Sequence, residues 1–415
     1  MNNFKPMREN GYIRLLLEEN NSLPSIIVAG DLCPMGKSEE FLSTSQVEWL
    51  FPGVIQTLQR ADLAIVNLEC PLTHHTTPIV KSGPHLKANP ACAKGIRSAG
   101  FDVVSLANNH ILDMGGKGLA DTVAACTNAG LKTIGVGENL AKATCPLWID
   151  VRSLKVAILA FAENEFSIAT RHTPGAWPVD PLSNYYQIKQ AKQKADFVLV
   201  LLHGGNEYYE LPSPNLIKLC RYYVDLGVNA VICNHIHVPG CIEIYDGVPI
   251  IYSSGNFLFE ANDAVDGWYK GFLVKLSIQS NAVVGIRLIP YWQSKDQVGV
   301  KLMEQSEQRQ FLNHIFEISS LLADPAELVK KWDLFVNSKR IQYLSAVLGL
   351  NKVERQLLKF GIWPSWRLKR SARAGLLNLF TCEAHRDVMI SLLSSEFMLG
   401  ESCSVISSEE EVTQK

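Results

Sequence analysis

Val231-Ile-Cys-Asn-His-Ile-His-Val238 is the stretch on which the reading of this chain turns. An apolar run, Ala230 to Cys233, stops at Asn234 and gives way to two histidines one residue apart. Upstream, Phe197-Val-Leu-Val-Leu-Leu-His203 has the same form. Short continuous apolar runs are the pattern of strands buried on both faces. Two such strands that end in histidine put imidazoles at the carboxyl edge of a sheet, where open α/β sheets carry their sites. Neutral imidazole is also the commonest side-chain metal ligand. A lone His-x-His most often holds no metal, so the other strand ends have to be read with it.

They repeat the pattern. Ser25-Ile-Ile-Val-Ala-Gly-Asp31 breaks at glycine and presents an aspartate. Ala61-Asp-Leu-Ala-Ile-Val-Asn-Leu-Glu69 ends in Asn67 and Glu69, and Phe101-Asp-Val-Val-Ser-Leu-Ala-Asn-Asn-His110 ends in Asn109 and His110. Between them the spacing predicts helices over 45–60 and 90–99, and Gly115-Gly-Lys-Gly118 leads into a helix through Ala129. Strands follow over 131–136 and 156–161, then helices over 182–195 and 214–226 around the His203 strand. Strands alternating with helices at this spacing make an α/β layered fold. After Cys241 the texture turns to successive strands with tight turns at Asp246-Gly247 and Ser280-Asn281. From about Leu302 to Leu399, Leu, Ile, Val and Phe recur at helical spacing.

The bulk numbers exclude little. The 415 residues are 47% hydrophobic and 19% charged, an ordinary globular balance. A formal net charge of −2 gives no general argument for nucleic-acid binding. Ten cysteines are scattered without a CxxC pair, so neither a zinc ribbon nor a disulfide scaffold is indicated. Residues 1–24 carry no signal-peptide core, and no run of about 18 apolar residues predicts a membrane span. The expected compartment is the cytoplasm, with a possible peripheral attachment to the membrane.

Asp31, Glu69, Asn109, His203, His235 and His237 form a mixed oxygen and nitrogen ligand set, suited to Mn²⁺, Fe, Zn²⁺ or Mg²⁺. A carboxylate such as Glu69 can bridge two ions, and two ions can clamp a phosphate. Gly30-Asp31, Asn67-Leu-Glu69-Cys-Pro71, Ala107-Asn-Asn-His-Ile-Leu-Asp113, His203-Gly-Gly-Asn-Glu207, Asn234-His-Ile-His-Val238 and Tyr252-Ser-Ser-Gly-Asn-Phe257 occur in that order. Together they resemble the CapA family of capsule (poly-γ-glutamate) synthesis proteins, within the calcineurin-like metallophosphoesterase superfamily. The resemblance covers roughly residues 25 to 292.

It implies a four-layer α/β/β/α sandwich, with a helical C-terminal region, and a site for divalent ions, two in number, at the strand ends. Asp31 would bind the first ion and Glu69 would bridge. Asn109, His203 and His235 would bind the second, and His237 would return to the first. His110 would be the general acid or stabilise transition-state charge, and Glu207 would orient a ligand or water. Cys33 stands where the superfamily usually has the histidine of Asp-x-His, and is read as a buried structural thiol. The expected domains are a tail at 1–24, the CapA-like domain at 25–300, a helical region at 301–400 and an acidic tail at 401–415.

Other residues are weighed beside these. His74, His75, Lys81 and His85 follow Asn-Leu-Glu-Cys-Pro and divide evenly between binding an anionic substrate and lying in a solvated loop. Lys81, His85 and Asn256 are carried forward as substrate-binding candidates. Arg171 and His172 fit a solvated loop better. Trp363-Pro-Ser-Trp-Arg-Leu-Lys-Arg-Ser-Ala-Arg373 interleaves aromatics with bases and fits a solvated basic helix better than a membrane-docking segment. Two functions remain open: a metal-dependent hydrolase serving capsule or other surface-polymer synthesis, acting on an anionic polymer or phosphoester, and a non-catalytic assembly factor for a membrane-associated synthesis complex.

Overall fold

A computed structural model describes residues 7–9, 12–14, 23–261, 264–360 and 370–402. The acidic tail beyond Ser402 and residues 363–369 of the Trp/basic stretch lie outside the described residues. The chain falls into two compact units, 1–330 and 331–415.

The first unit begins with β1 (Met7–Glu9), β2 (Tyr12–Arg14) and β3 (Ser25–Cys33). Then come α1 (Lys37–Ser43), α2 (Val47–Leu50), α3 (Val54–Gln59), β4 (Leu63–Leu68), α4 (Cys92–Ser98), β5 (Val103–Ser105), α5 (Gly115–Asn128) and β6 (Lys132–Ile134). Next are β7 (Val136–Gly137), α6 (Leu140–Ala143), β8 (Leu147–Val151), β9 (Leu154–Ala162), β10 (Gly175–Ala176), α7 (Pro181–Lys194), β11 (Phe197–His203), α8 (Pro214–Asp225) and β12 (Ala230–Asn234). The series closes with β13 (Ile242–Tyr245), β14 (Val248–Ile251), β15 (Asn256–Phe259), β16 (Lys270–Gln279), β17 (Ala282–Gln293), β18 (Val300–Leu302) and α9 (Gln305–Ser320).

Most of these strands build two large sheets, and β7 and β10 pair in a small third one. Of the large sheets, one runs β1-β2-β17-β16-β3-β4-β5-β6, with β15 added to β3 and β18 to β17, and the other runs β13-β14-β12-β11-β9-β8. The apolar runs around the histidines are buried on both faces, and side-chain alternation shows against what. Phe197, Leu199 and Leu201 of β11 belong to the core shared with Ile26, Ile65 and Val274 of the larger sheet. Val198, Val200 and Leu202 face the other way, onto Ile188 of α7 and Leu216, Cys220 and Tyr223 of α8. Helices on the outer face of each sheet complete a four-layer α/β/β/α sandwich, as the resemblance implied. Each buried aliphatic side chain contributes roughly 1.5–3 kcal/mol.

Two local expectations are corrected. The single helix over 45–60 is instead α2 and α3, separated at Phe51-Pro52-Gly53. Pro52 has no N–H to continue a helix, and Gly53 takes a left-handed φ of 76°. Residues 1–24, read as a tail, contain β1 and β2, and β2 pairs with β17 through Gly285, Ile286 and Arg287. The edge of a sheet offers unpaired backbone groups that recruit such a hairpin.

The second unit continues α10 (Pro325–Leu348) and adds α11 (Lys352–Lys359), α12 (Arg370–Thr381) and α13 (Glu383–Ser402). Asn351 and Glu354 form a reciprocal capping box that starts α11.

One backbone approach ties the fold to the strand ends. Asp31 N–H donates to Gly255 O at 3.3 Å, and a Cβ on Gly30 would lie 1.7 Å from that oxygen. Gly30→Ala is expected to lose roughly 1–3 kcal/mol or more of stability through overpacking. An unchanged thermal unfolding midpoint for that variant would refute this account of the close approach.

Candidate metal centre

The parallel register delivers the polar residues to one edge. His203 is paired with Asn234 at the ends of β11 and β12, and Asp31 with Asn67 on β3 and β4. Glu69 follows β4 directly, and the turn after β5 carries Asn108, Asn109 and His110. The site therefore draws on both sheets. His235 and His237 follow β12 with φ of 112° and 62°, values that cost strain for any residue but glycine. The turn aims the His235 N–H at Asp31 Oδ2, 3.1 Å away.

Two ligand groups result. Glu69, His203 and His235 place one donor atom each within 4.8 Å of one another, and so do Asp31, Glu69 and His237. Glu69 belongs to both. Its Oε1 lies 3.6 Å from His203 Nε2 and 3.6 Å from His237 Nε2. Asn109 Oδ1 lies 3.0 Å from His203 Nε2, which is 3.1 Å from His235 Nδ1. Asn256 Oδ1 sits 2.9 Å from His237 Nδ1, so a proton on that nitrogen leaves Nε2 facing Glu69. Trp268 and Phe259 pack on the His237 ring with centroids at 4.9 and 5.5 Å.

The electrostatics decide whether these residues suit an ion. Glu69 is fully buried, and neither carboxylate oxygen has a hydrogen-bond donor. Burial, then the charge of Asp31, pushes its carboxyl well above the usual range. Burial also raises Asp31 to about 7, against the opposing hydrogen bonds from Asn67 and the His235 N–H. Burial drives His203 well down, His235 to about 4 and His237 to about 3. Carboxylates that lack a counter-charge beside imidazoles held neutral are the donor set a divalent cation completes. The residues fit a metal.

Residues 25–261 match the family described as bacterial capsule synthesis protein PGA_cap. The chain belongs to this family. It is 31% identical over 284 residues to the capsule biosynthesis protein CapA of Bacillus anthracis, covering 66% of this chain and 68% of that one. It is 29% identical over 268 residues to the PGA biosynthesis protein CapA of Bacillus subtilis strain 168, covering 63% and 69%. Among solved structures, a hypothetical protein from Thermus thermophilus aligns with a TM-score of 0.43 at 15% identity, covering 68% of this chain and 100% of that one.

In this PGA_cap protein the remaining sequence candidates take different positions. His110 borders the ligands, and its Nδ1 lies 2.7 Å from Asp113 Oδ2. Glu207 is exposed, and its charge adds to the rise of Glu69 and Tyr208. Asn256 is fully buried behind His237. His85 is exposed, with Nε2 2.7 Å from Ile79 O, which ties the loop to itself. The Lys81 side chain is only 2% exposed and pairs with Asp113. His74, Arg171 and His172 are exposed. Cys33 is buried, and burial together with Cys70 pushes its thiol well up.

Sequence reasoning left Asn67, Asn108, Asp113 and Trp268 without roles. Asn67 Nδ2 donates to Asp31 Oδ1 at 2.7 Å, and Asn108 Nδ2 to Leu68 O at 2.8 Å. Both lay inside quoted motifs, and Asp113 stands three residues after His110, the spacing of one helical turn. Trp268 gave no such signal.

Saturating Mn²⁺ at about 100 times Kd is expected to stabilise metal-stripped protein by about 2.7 kcal/mol. Glu69→Gln should abolish that gain, and an identical calorimetric shift in both proteins would rule the centre out. The pH dependence has a definite sign. The Asp31 carboxyl takes up a proton as pH falls through about 7, and the ion must displace it. Affinity is therefore expected to weaken below about pH 7, by up to about ten-fold per pH unit for each proton displaced; titration calorimetry between pH 6 and 8 measures it.

Proposed function

We propose that this protein is a metal-dependent hydrolase of capsule or poly-γ-glutamate biosynthesis, acting on an anionic polymer or a phosphoester. The observation that supports it is the donorless, fully buried carboxylate of Glu69 shared by two groups of imidazole and carboxylate donors. Asp31, Glu69 and His237 would hold one divalent ion, and Glu69, Asn109, His203 and His235 a second. Such ions, when bound, supply Lewis acidity at a phosphoryl or carbonyl oxygen.

The chain's own groups do the rest. Asn256 keeps His237 turned toward Glu69 by occupying its Nδ1. The His235 N–H and the Asn67 amide hold the two Asp31 oxygens in place. His110, anchored at Nδ1 by Asp113, would first take up a proton at Nε2 and then pass it to the leaving oxygen or nitrogen. Glu207, on the exposed rim, orients a water or a polar group of the substrate. Among the described residues no helix is long and apolar enough to cross a membrane.

A second reading, a non-catalytic assembly factor, is favoured by one observation. Cys33 supplies a protonated thiol where a histidine ligand would complete the first ion's shell.

The Mn²⁺-loaded protein is expected to cleave a generic phosphodiester or a γ-glutamyl chain. His110→Ala should lower kcat by about 10²–10⁴-fold, the usual weight of general acid catalysis, and His235→Ala should abolish turnover. Wild type and variants equally inactive across substrates and metals would leave the assembly reading standing.

A further inference from the structure

The loop from Thr73 to Ala88 is fastened to the turn that carries His110. Thr73 N–H donates to Ala88 O and Ala88 N–H to Pro71 O, both at 2.9 Å, closing the loop at its base. Its far part converges on one residue. Ile79 N–H donates to Asp113 O at 3.1 Å, and Leu86 N–H to Asp113 Oδ2 at 2.7 Å. The Lys81 ammonium pairs with Asp113 Oδ1, and the two side chains are 2% and 0% exposed. The same ammonium lies 3.1 Å from His110 Nδ1.

Two groups of opposite character therefore meet at one imidazole nitrogen. An ammonium only donates and a carboxylate only accepts. Lys81 pairs in charge with Asp113 at Oδ1 while Oδ2 accepts from Leu86 N–H, and the contact of His110 Nδ1 with Oδ2, 2.7 Å against 3.1 Å to the ammonium, favours a proton on Nδ1 donated to the carboxylate. A proton on Nδ1 leaves Nε2 of the neutral ring bare. Asp113 is fully buried, and without Lys81 its carboxylate would keep beside it only the His110 ring, a cation solely when doubly protonated. A buried carboxylate stripped of its partner is strongly destabilised and relaxes away from its geometry.

We propose that Lys81 is a positioning residue for His110: through Asp113 it fixes the imidazole in the Nδ1–H tautomer and locks the 73–88 loop beside the centre. It acts through Asp113 and the ring rather than on substrate. The proposal deepens the hydrolase reading and rests on it for its consequence in turnover. Its geometry is tested without turnover.

The experiment uses the full chain labelled with ¹⁵N-histidine, at about pH 8, where an ordinary imidazole is neutral. Long-range ¹H–¹⁵N correlation reads the tautomer of each ring, and a His110→Gln sample assigns the resonance. Wild type and Lys81→Arg are expected to show His110 protonated at Nδ1. Lys81→Met should lose that preference, its two ring nitrogens moving toward a common averaged shift. Lys81→Gln, which keeps a donor without the charge, should do the same and serves if the methionine variant fails to fold. A folded Met or Gln variant with the wild-type His110 pattern overturns the proposal. So does an arginine variant that behaves like glutamine. If the protein turns over substrate, Lys81→Met should lower kcat about 10–100-fold with KM unchanged, the mark of misplacement rather than lost binding. Absence of turnover in wild type would count against the hydrolase reading and leave the tautomer result to decide on Lys81.

Discussion

A buried carboxyl group that, among the described residues, has no cation beside it and no donor but the neighbouring Asp31 carboxyl is the constraint on which the strand ends depend. Glu69 is fully buried, its oxygens accept no N–H or hydroxyl donor among the described residues, and the Asp31 carboxyl stands beside it and raises its pKa. Burying one unpaired ionised group costs several kcal/mol even after relaxation. A fold that keeps two together must hold them against that cost, let them take up a proton, or bring a cation to them. The surroundings act in both senses. Asp31 receives the Asn67 amide and the His235 N–H, whereas Glu69 receives nothing and faces two imidazole nitrogens at 3.6 Å. Donors are supplied to the residue at the edge of the pair and withheld from the residue at its middle.

Holding that arrangement requires the sandwich itself. Asp31 and Glu69 come from the larger sheet, His203, His235 and His237 from the smaller. Neither sheet alone assembles either ligand group. The inward-facing residues of β11 and β12 fix the distance between the sheets, and the carboxyl edges follow. The strain at His235 and His237 is sustained because Asp31, Asn256 and Trp268 each hold part of that turn. The close approach of Gly255 to Gly30 does the same for β3.

Much of this was legible in the sequence because each feature is local. An apolar run that stops at a polar residue marks both a buried strand and its exposed end, so Asp31, Glu69, His203 and His235 could be found one at a time. The alternation of strands and helices implied an α/β layered fold, and the four-layer sandwich came from the family resemblance carried by the ordered motifs. What was not legible depends on partners far apart in the chain. Lys81 was read as a substrate-binding candidate in a loop, because nothing near it announces Asp113, 32 residues away. The N-terminal strands looked like a tail because their partner, β17, lies more than 250 residues downstream. The broken helix over 45–60 was a different failure. Pro52 and Gly53 were in plain view, and the apolar spacing outweighed them.

The proposed centre is unequal in its two halves. On the proposed ligand set, the ion shared by Glu69, Asn109, His203 and His235 has four protein donors, and the ion shared by Asp31, Glu69 and His237 has three. Cys33 is the residue that could even the count, since strand alternation puts it on the same face of β3 as Asp31. A thiolate is the ligand form, however, and burial beside Cys70 pushes the Cys33 thiol the other way. Recruiting it would mean placing a new negative charge next to Glu69, and the charge of Glu69 is itself among the causes of that rise. On that count the three-donor half would have one protein ligand fewer than its neighbour and could leave a position for water or substrate. An open position is what separates a site that can take a substrate oxygen from one that only binds a structural ion. Cys33 thus divides the two readings: a first ion held by three protein donors could admit a substrate oxygen, whereas one held too weakly to stay would leave only the assembly role.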